Sequence, residues 1–174
     1  MMSDLRIQKL QFAFKKFFDA DEGGAVEKKD FEKTLEKLGW KETDGEEIKN
    51  QIWDGFKAAD VDGDGQVSTD EWIKMWDLQD TETLPEWNNL FCKVCFHILD
   101  KTGDGVIDEE EFLNVHEIFG GTKEEAVDAF QTIAEDKSSL NFDDFSQLFK
   151  EFFLSDDIDD PGNYIFGTLN FFKG

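Results

Sequence analysis

The sequence is poor in cysteine, proline and tyrosine, and the few cysteines and histidines do not form a recognisable reactive site. Cys92 and Cys95 form a Cys-x-x-Cys pair, but no second cysteine pair is present to complete a zinc site. They fall inside a predicted helix with no strand before it, which argues against a thioredoxin-like motif. We therefore expect two buried thiols, and we expect His97 and His116 to serve packing in the core or on the surface.

The sequence also lacks a long apolar run. No segment approaches the length of a membrane-spanning helix, and the start, Met1 to Arg6, has no apolar core of the kind that a signal peptide needs. Met2 stands where N-myristoylation requires glycine. These features predict a cytoplasmic protein without stable membrane insertion.

Basic residues are scarce, since 18 Lys and Arg face 41 Asp and Glu and give a formal charge of −23. Such a charge argues against nucleic acid, or an anionic membrane, as the main partner. A chain of 174 residues is long enough to bury a substantial core. The acidic residues recur at a fixed spacing, and this spacing points to cations as ligands.

Residues 60–71 have the spacing of a calcium loop. Oxygen-bearing side chains occupy positions 1, 3, 5, 9 and 12, and Gly65 occupies position 6, where the chain turns sharply. Ca²⁺ takes roughly six to eight oxygen ligands, and a glutamate at position 12 can supply two of them. The predicted ligands are Asp60, Asp62, Asp64, Gln66 through its carbonyl, Ser68 and Glu71.

The same pattern recurs about forty residues further on, in residues 100–111. Its one unusual member is a threonine at position 3, which still offers an oxygen. The predicted ligands are Asp100, Thr102, Asp104, Val106 through its carbonyl, Asp108 and Glu111.

A weaker copy precedes them in residues 19–30. Gly23 at position 5 has no side-chain ligand, and Asp30 at position 12 is one methylene shorter than glutamate. A water at position 5 and a monodentate Asp30 would suit Mg²⁺ at least as well as Ca²⁺. The alternative is an acidic turn that keeps only the geometry. The predicted ligands are Asp19, Asp21, Ala25 through its carbonyl, Glu27 and Asp30.

A fourth copy is degenerate. In the other copies an aromatic residue follows position 12. Phe145 is the corresponding residue in the fourth copy, so its loop spans residues 133–144. Ile133 then stands at position 1, Lys137 at position 5, and Ser138 where glycine belongs. An apolar first position and a cationic fifth position predict that no ion binds there. We expect this repeat to be kept as a packing partner.

Position 8 is apolar in all four copies, which predicts short antiparallel ladders that pair loop one with two and loop three with four. The position 8 residues are Val26, Val67, Ile107 and Leu140. Apolar residues at three- and four-residue steps predict helices between the loops. Capping-box spacings predict helix starts at Thr43 with Glu46, Ser68 with Glu71 and Thr122 with Glu125.

These patterns predict an all-α fold of four helix-loop-helix units in two pairs. We place the first pair in residues 1–80 and the second in residues 81–154. A C-terminal tail, residues 155–174, is predicted to pack on the body. The two prolines, Pro85 and Pro161, fall in connections, where they interrupt no element.

The chain resembles the invertebrate sarcoplasmic calcium-binding proteins and the calexcitins of the EF-hand superfamily. Three features carry the resemblance: four repeats with the last one degenerate, Asp30 at the end of the first loop, and the closing segment 161–169. The resemblance spans the whole chain. It implies a compact, cytosolic protein of muscle or nerve that binds Ca²⁺ and Mg²⁺ and acts mainly as a soluble calcium buffer. Calexcitins are the members credited with signalling.

The composition favours a buffer over a sensor, because sensors expose methionine-rich grooves and only Met75 lies away from the N-terminus here. The apolar mass is 19 Phe and five Trp, stiff shapes that favour one packed core. The apolar tail segment, residues 164–172, is predicted to fold back over a groove between the halves, the alternative being a frayed terminus.

Two alternatives to the buffer stay open at this point. One is a calexcitin-like calcium sensor that binds a target protein or a membrane channel. The other is a luminescent photoprotein, which would need a working fourth loop and a cavity lined by His, Tyr and Trp. Tyr164 is the only tyrosine, and no set of residues indicates substrate activation. We therefore predict that the protein is not an enzyme.

Overall fold

The computed structural model describes residues 2–18, 24–41, 45–79, 82–118 and 121–167. Eight α-helices and four short β-strands lie in these ranges, which confirms the predicted all-α fold with small antiparallel sheets. The helices are α1 (Asp4–Ala13), α2 (Lys28–Leu38), α3 (Glu46–Phe56), α4 (Thr69–Leu78), α5 (Glu86–Leu99), α6 (Glu109–Ile118), α7 (Lys123–Ala134) and α8 (Phe142–Leu154). The strands are β1 (Ala25–Val26), β2 (Val67–Ser68), β3 (Val106–Asp108) and β4 (Ser139–Asn141).

The chain divides into two compact units between Phe91 and Cys92. This point lies inside α5, whereas the sequence analysis places the boundary at residue 80, and the described part of the tail belongs to the second unit. Each unit holds one pair of helix-loop-helix repeats. The domain limits 1–80, 81–154 and 155–174 remain a prediction.

The N-terminal unit is built on stacked aromatic rings. Phe18 and Phe56 lie 4.5 Å apart between ring centroids, and Trp72 lies 5.3 Å from each of them. The Trp72 indole N–H donates to the carbonyl of Leu10 at 2.8 Å, so this buried polar atom is satisfied. A side chain at Gly55 would approach the Cβ of Trp87 to 2.3 Å, which explains the glycine inside α3.

The C-terminal unit contains phenylalanine but no tryptophan, and the tail adds to its core. A single 3₁₀ turn, Pro161–Tyr164, packs on α7 and α8. Ile165 is 1% exposed, and the ring of Phe166 meets that of Phe152 at 4.8 Å. This part of the tail is therefore packed on the body, as predicted, and not frayed. Leu169, Phe171 and Phe172 lie outside the described residues, and the placement of the tail between the halves remains a prediction.

Two of the predicted helix starts are confirmed. At the start of α4, Ser68 Oγ accepts the N–H of Glu71 at 3.2 Å, and Glu71 accepts the N–H of Ser68 at 3.0 Å. At the start of α7, Thr122 Oγ1 accepts the N–H of Glu125 at 3.2 Å. These bonds satisfy backbone donors that have no partner within the helix.

The prediction for the start of α3 is wrong. Gly45, and not Thr43, is the residue that precedes this helix, and Thr43 itself lies outside the described residues. Gly45 has φ 128°, a backbone conformation that favours glycine. The helix therefore begins after a glycine turn without a side-chain cap.

The thiols and imidazoles take the packing roles expected of them. Cys92 and Cys95 are free and buried, and burial raises the pKa of the Cys92 thiol to about 12. His116 is buried with its ring 6.3 Å from that of Phe112, while His97 is exposed on α5.

Candidate metal centre

The first two loops are joined by a short antiparallel ladder. Ala25 pairs with Ser68, and Val26 pairs with Val67, as the position 8 pattern predicts. Both valines are at most 1% exposed, so the ladder is anchored in the core of the N-terminal unit. The ladder fixes the end of each loop relative to the other.

The third and fourth loops are joined in the same way. Val106 pairs with Asn141, Ile107 with Leu140, and Asp108 with Ser139. Ile107 and Leu140 are each 1% exposed. The degenerate fourth loop thus keeps the ladder even though it has lost the ligands.

Loop 60–71 gathers four carboxylates into one cluster. Asp60, Asp62, Asp64 and Glu71 each offer an oxygen, and these oxygens all lie within 4.8 Å of one another. Two ligands on one Ca²⁺ ion, each at roughly 2.3–2.6 Å, are at most about 5 Å apart. The cluster therefore has the dimensions of a single calcium site.

Backbone N–H groups position these carboxylates. Asp60 accepts the N–H groups of Asp64 at 3.2 Å and of Gly65 at 2.9 Å, on different oxygens. Gly65 has φ 83°, which an L side chain rarely adopts, so the glycine at position 6 is required for this turn. The N–H of Gln66 in turn donates to Asp64 at 2.9 Å. The backbone of the loop is thus hydrogen-bonded to the carboxylates of its own side chains.

Glu71 closes the loop from the first turn of α4. Its Oε1 accepts the N–H of Ser68 at 3.0 Å and the Ser68 hydroxyl at 3.1 Å, while its Oε2 accepts the N–H of Val61 at 2.8 Å. Hydrogen bonds from Ser68 and Val61 lower the pKa of Glu71, the Ser68 N–H contributing most. Both oxygens of the position 12 carboxylate are held over the loop, as bidentate binding requires.

The pKa values of Asp60 and Asp62 are shifted in opposite directions and for different reasons. Loss of contact with water acts to raise the pKa of Asp60, but the N–H groups led by that of Gly65 lower it overall. The N–H of Asp64 acts to lower the pKa of Asp62, but the side-chain hydrogen bond with Asp60 and the nearby negative charges raise it overall. A divalent cation would offset this repulsion between neighbouring carboxylates, so the charge of the loop favours cation binding.

Loop 100–111 repeats the arrangement with three carboxylates. Oxygens of Asp100, Asp104 and Glu111 lie within 4.8 Å of one another. The Thr102 hydroxyl lies between them, 3.3 Å from Glu111 Oε2 and 3.5 Å from Asp100 Oδ1, so the unusual threonine stands in the site. A hydrogen bond from the N–H of Val106 lowers the pKa of Asp104.

Position 9 serves the helix start in both loops. Asp108 Oδ1 accepts the N–H of Glu111 at 2.9 Å, as Ser68 Oγ does for Glu71. In the part of the chain that the structure describes, Asp108 is not one of the carboxylates that converge in loop 100–111. An ion reached from position 9 would be bound through a water, which is common in these loops.

Only the second half of loop 19–30 is described. Asp19 and Asp21 lie outside the described residues, and Ala25 lies in β1. Asp30 Oδ2 accepts the N–H of Glu27 at 2.9 Å, which is the bond that Glu71 and Glu111 make to their own position 9. The exit from loop one therefore has the geometry of the other two loops.

Loop 133–144 contains a side-chain cation. Lys137 Nζ lies 2.8 Å from Asp144 Oδ1. Ile133 is buried near the end of α7 and offers no oxygen ligand. The structure describes this whole loop, and within it no group of acidic side chains converges as in loops 60–71 and 100–111.

One contact between the first two loops was not predicted from the sequence. Gln66 Nε2 donates to Glu27 Oε1 at 2.9 Å, and Lys29 Nζ lies 3.0 Å from Glu27 Oε2. The loop spacing predicts a role for Gln66 only as a calcium ligand through its carbonyl. The predicted ladder could have revealed this contact, because an antiparallel register that places residue 26 opposite residue 67 brings the next residues, 27 and 66, close together.

A family model described as "EF hand" matches residues 54–76 and 93–116. The two matched segments contain the two loops in which the carboxylates converge. In sequence, the chain is similar to calexcitin-1 of Caenorhabditis elegans, with 29% identity over 126 residues, or 69% of this chain. The match spans 62% of the length of calexcitin-1. It is also similar to the sarcoplasmic calcium-binding proteins II, V, VI and VII of Branchiostoma lanceolatum, with 27% identity over 95% of this chain and 98% of the relative.

In structure, the chain is similar to a sarcoplasmic calcium-binding protein from amphioxus, with a TM-score of 0.82 and 24% identity over 97% of this chain and 99% of the other. It is also similar to calcium-loaded apo-aequorin from Aequorea victoria, with a TM-score of 0.69 and 17% identity over 89% of this chain and 93% of the other. At these identities the two structures show the fold alone.

These sequence relatives are named as calexcitin and as calcium-binding proteins and not as enzymes, which agrees with the prediction that this chain is not an enzyme. The fold, the loop geometry and the relatives agree with one another. The chain therefore contains two segments that match the EF hand model, and it is similar to the sarcoplasmic calcium-binding proteins and to calexcitin.

Proposed function

We propose that this protein binds Ca²⁺ in loops 60–71 and 100–111 and acts as a calcium buffer. The observation that carries the proposal is the convergence of carboxylate oxygens to within 4.8 Å in each of these loops. Ca²⁺ is a hard cation that prefers such oxygen ligands. Backbone N–H groups hold the carboxylates in place, so little rearrangement is needed when an ion enters.

The charge of the loops favours tight binding. Loop 60–71 carries four carboxylates in one cluster, and loop 100–111 carries three together with the Thr102 hydroxyl. Dissociation constants of buffers of this class lie on the order of 10⁻⁸ M, which is the range we expect for these two loops or slightly above it. The formal charge of −23 also raises the local concentration of cations and their rate of capture.

We further propose a third divalent site in loop 19–30, with Mg²⁺ competing for it. The support is the Asp30 bond to the N–H of Glu27, which matches the exit geometry of the other loops. Asp30 is shorter than glutamate, and its second oxygen reaches the ion less easily. Monodentate binding suits the small octahedral Mg²⁺ ion.

The cores favour a buffer because they are built from stiff, closely packed rings. Trp72 and Phe56 are fully buried, whereas Met75 is half-buried on α4. Sensors that open on calcium expose methionine-rich grooves, which adapt to many partners. The packing of Ile165 and Phe166 on the C-terminal unit leaves less apolar surface to expose.

One surface feature favours the alternative, a calexcitin-like sensor that binds a target protein or a membrane channel. Val61 and Leu78 are 75% and 79% exposed, and with Met75 they line a groove that also includes Glu71. A groove lined by a predicted calcium ligand could report ion binding to a partner. The groove is small, about 240 Å³, and the closely packed aromatic cores outweigh it, so we favour the buffer.

We place the protein in the cytoplasm, in muscle or nerve, with ions as its main partners. The placement rests on its relation to sarcoplasmic proteins and on the acidic composition, which disfavours nucleic acid. In the described part of the chain, no helix is both long and apolar enough to cross a membrane.

A calorimetric calcium titration of metal-free protein, with and without millimolar Mg²⁺, tests the proposal. We expect three ions, with Mg²⁺ weakening the calcium uptake. A protein with both Glu71→Gln and Glu111→Gln is the control and should lose two of the three binding events. Wild-type protein that takes up no calcium would contradict the proposal.

A pull-down from muscle or nerve extract, with calcium and with chelator, separates buffer from sensor. A buffer should recruit little in either condition. A partner captured only with calcium, and lost when Val61 and Leu78 are both replaced by serine, would favour the sensor. Asp62 and Asp64 remain intact in that variant, so its calcium binding provides the control.

A further inference from the structure

The degenerate loop 133–144 contains a side-chain cation where its neighbours would hold an ion. Lys137 stands at position 5 and Asp144 at position 12, and their charged atoms lie 2.8 Å apart. In loop 100–111 the same positions carry Asp104 and Glu111, which converge on the candidate site. The fourth loop thus replaces one ligand of the pattern with a permanent positive charge.

The exit of loop 133–144 keeps the geometry of an ion-binding loop. Asn141 Oδ1 accepts the N–H of Asp144 at 2.8 Å, and Asp144 Oδ2 accepts the N–H of Asn141 at 3.3 Å. Asp108 and Glu111 make the same reciprocal pair in the loop opposite. The position 12 carboxylate of the degenerate loop is therefore held as in its neighbour, with one oxygen on the helix start and the other on the lysine.

We propose that the Lys137 ammonium takes the place of the divalent ion in loop 133–144 and, by ordering that loop, increases the calcium affinity of loop 100–111. This proposal rests on the proposed function of loop 100–111. The fourth repeat is then a permanently occupied partner, and Lys137 is a positioning residue for a site that it does not touch.

A continuous set of contacts connects the lysine to the opposite loop. Lys137 binds Asp144, and Asp144 shares two hydrogen bonds with Asn141. Asn141 pairs across the ladder with Val106, whose carbonyl is a predicted calcium ligand. Leu140 and Ile107, both buried, hold the centre of the same ladder. Ordering the fourth loop thus orders the strand that presents the position 7 ligand.

The size of the effect follows from the exposure of the pair. The side chain of Lys137 is 57% exposed and that of Asp144 is 24% exposed, so water screens much of their attraction. The hydrogen bond from Lys137 lowers the pKa of Asp144. Exposed pairs of this kind contribute little, and we expect a change of roughly two- to fivefold in calcium affinity.

The sign of the effect distinguishes this role from general electrostatics. Removal of a lysine makes the chain more negative than −23, and a more negative chain attracts cations more strongly. If Lys137 acted only through its charge, its removal would tighten calcium binding. If it orders the loop, its removal weakens calcium binding.

The test compares Lys137→Met, Lys137→Arg and Lys123→Met in the full-length protein. Lys123 is exposed at the start of α7, and its replacement makes the same change in charge without touching loop 133–144. An NMR calcium titration follows the amide signals of Gly105 and Gly65, which report on the two loops separately. Calcium alone is the ligand.

We expect Lys137→Met to weaken binding at Gly105 by roughly two- to fivefold and to leave Gly65 unchanged. Lys137→Arg should bind as the wild type does, and Lys123→Met should bind equally or slightly more tightly. Unchanged or tighter binding at Gly105 in Lys137→Met would overturn the proposal.

A second variant keeps the test decisive if Lys137→Met folds poorly. Asp144→Asn retains an oxygen that can accept the N–H of Asn141 and removes only the negative charge. It should weaken binding at Gly105 more than Asp143→Asn, which makes the same change in charge at the exposed neighbouring residue, and equal effects of the two variants would overturn the role of the pair. A wild-type protein with no calcium response at either glycine would instead overturn the proposed function itself.

Discussion

Loops 100–111 and 133–144 lie on either side of one ladder, and they share their exit geometry but differ in their charge and in the backbone conformation of their first half. Both have a buried apolar residue at position 8 and a reciprocal hydrogen-bonded pair between positions 9 and 12. One presents converging carboxylates, and the other presents Lys137 to Asp144. The comparison indicates that the frame of the repeat and its ion ligands are separate features, so one can be lost while the other is kept.

Loop 19–30 is intermediate between these two cases. Its ladder and its position 12 bond match those of loop 60–71, but Asp30 is shorter than Glu71. It keeps the frame and most of the acidic positions. We therefore expect it to bind divalent ions with a different selectivity instead of losing them.

The largest effect is expected from removing the position 12 ligand of the active loop. Glu111→Gln removes one charge and the bidentate clamp, and it should weaken calcium binding in loop 100–111 by more than about 100-fold, since even changes around a ligand cost 10–100-fold. Calorimetry should show one fewer binding event. Glu110→Gln, at the exposed neighbouring residue, makes the same charge change and should retain all events. A Glu111→Gln protein with the wild-type number of ions would contradict our register.

The next largest effect is expected from the ladder on the degenerate side. Leu140 is 1% exposed, and Leu140→Ala should lower the free energy of unfolding of the C-terminal unit by about 2–5 kcal/mol. It should also weaken calcium binding in loop 100–111, although Leu140 is not part of that loop. Urea denaturation followed by circular dichroism, together with calorimetry, measures both. Ser139→Ala, on the opposite face of the strand, is the control, and equal effects of the two changes would argue against the ladder.

A smaller effect is expected in loop 19–30. Asp30→Glu supplies the missing methylene and should raise the preference of this loop for Ca²⁺ over Mg²⁺ on the order of tenfold. Calcium titrations at several Mg²⁺ concentrations give this ratio. Glu71→Asp, the reverse change in loop 60–71, should shift selectivity towards Mg²⁺. If neither change alters selectivity, the length of the position 12 side chain does not control it.

The smallest effect concerns the pH dependence of the Lys137 and Asp144 pair. The hydrogen bond with Lys137 lowers the pKa of Asp144, so its stabilisation is present above the unfolded value near 3.9 and is lost as the pH falls through the lower folded pKa. The hydrogen bond with Asp144 raises the pKa of Lys137, so its stabilisation is present below the unfolded value near 10.4 and is lost as the pH rises through the higher folded pKa.

The melting temperatures of wild-type and Lys137→Met protein in chelator should therefore differ slightly at neutral pH and converge at both extremes. Lys123→Met should follow the wild type throughout. A difference that stayed constant into strong acid would show that the pair is not its source.

The sequence predicted the repeats, the ladders and most helix starts because these depend on local spacing. The pairing of Val26 with Val67, and of Ile107 with Leu140, follows from a single apolar position in each repeat. The start of α3 was not predicted, because a glycine turn at Gly45 replaced the expected side-chain cap.

Other features were not predicted because they depend on the direction of long side chains. The contact of Gln66 with Glu27 crosses between two loops. Lys137 was recognised as an obstacle to ion binding, but its bond to Asp144 depends on a side chain that reaches across its own loop. The structure shows both contacts.

We expect calcium in loops 60–71 and 100–111, and the Lys137 ammonium in the corresponding place of loop 133–144. Anomalous diffraction from crystals grown in calcium would locate the ions in all of these loops. Our account predicts strong calcium peaks within the carboxylate clusters of loops 60–71 and 100–111, and the Lys137 ammonium on Asp144 in loop 133–144. A calcium peak beside Asp144, or no peak in loop 100–111, would contradict it.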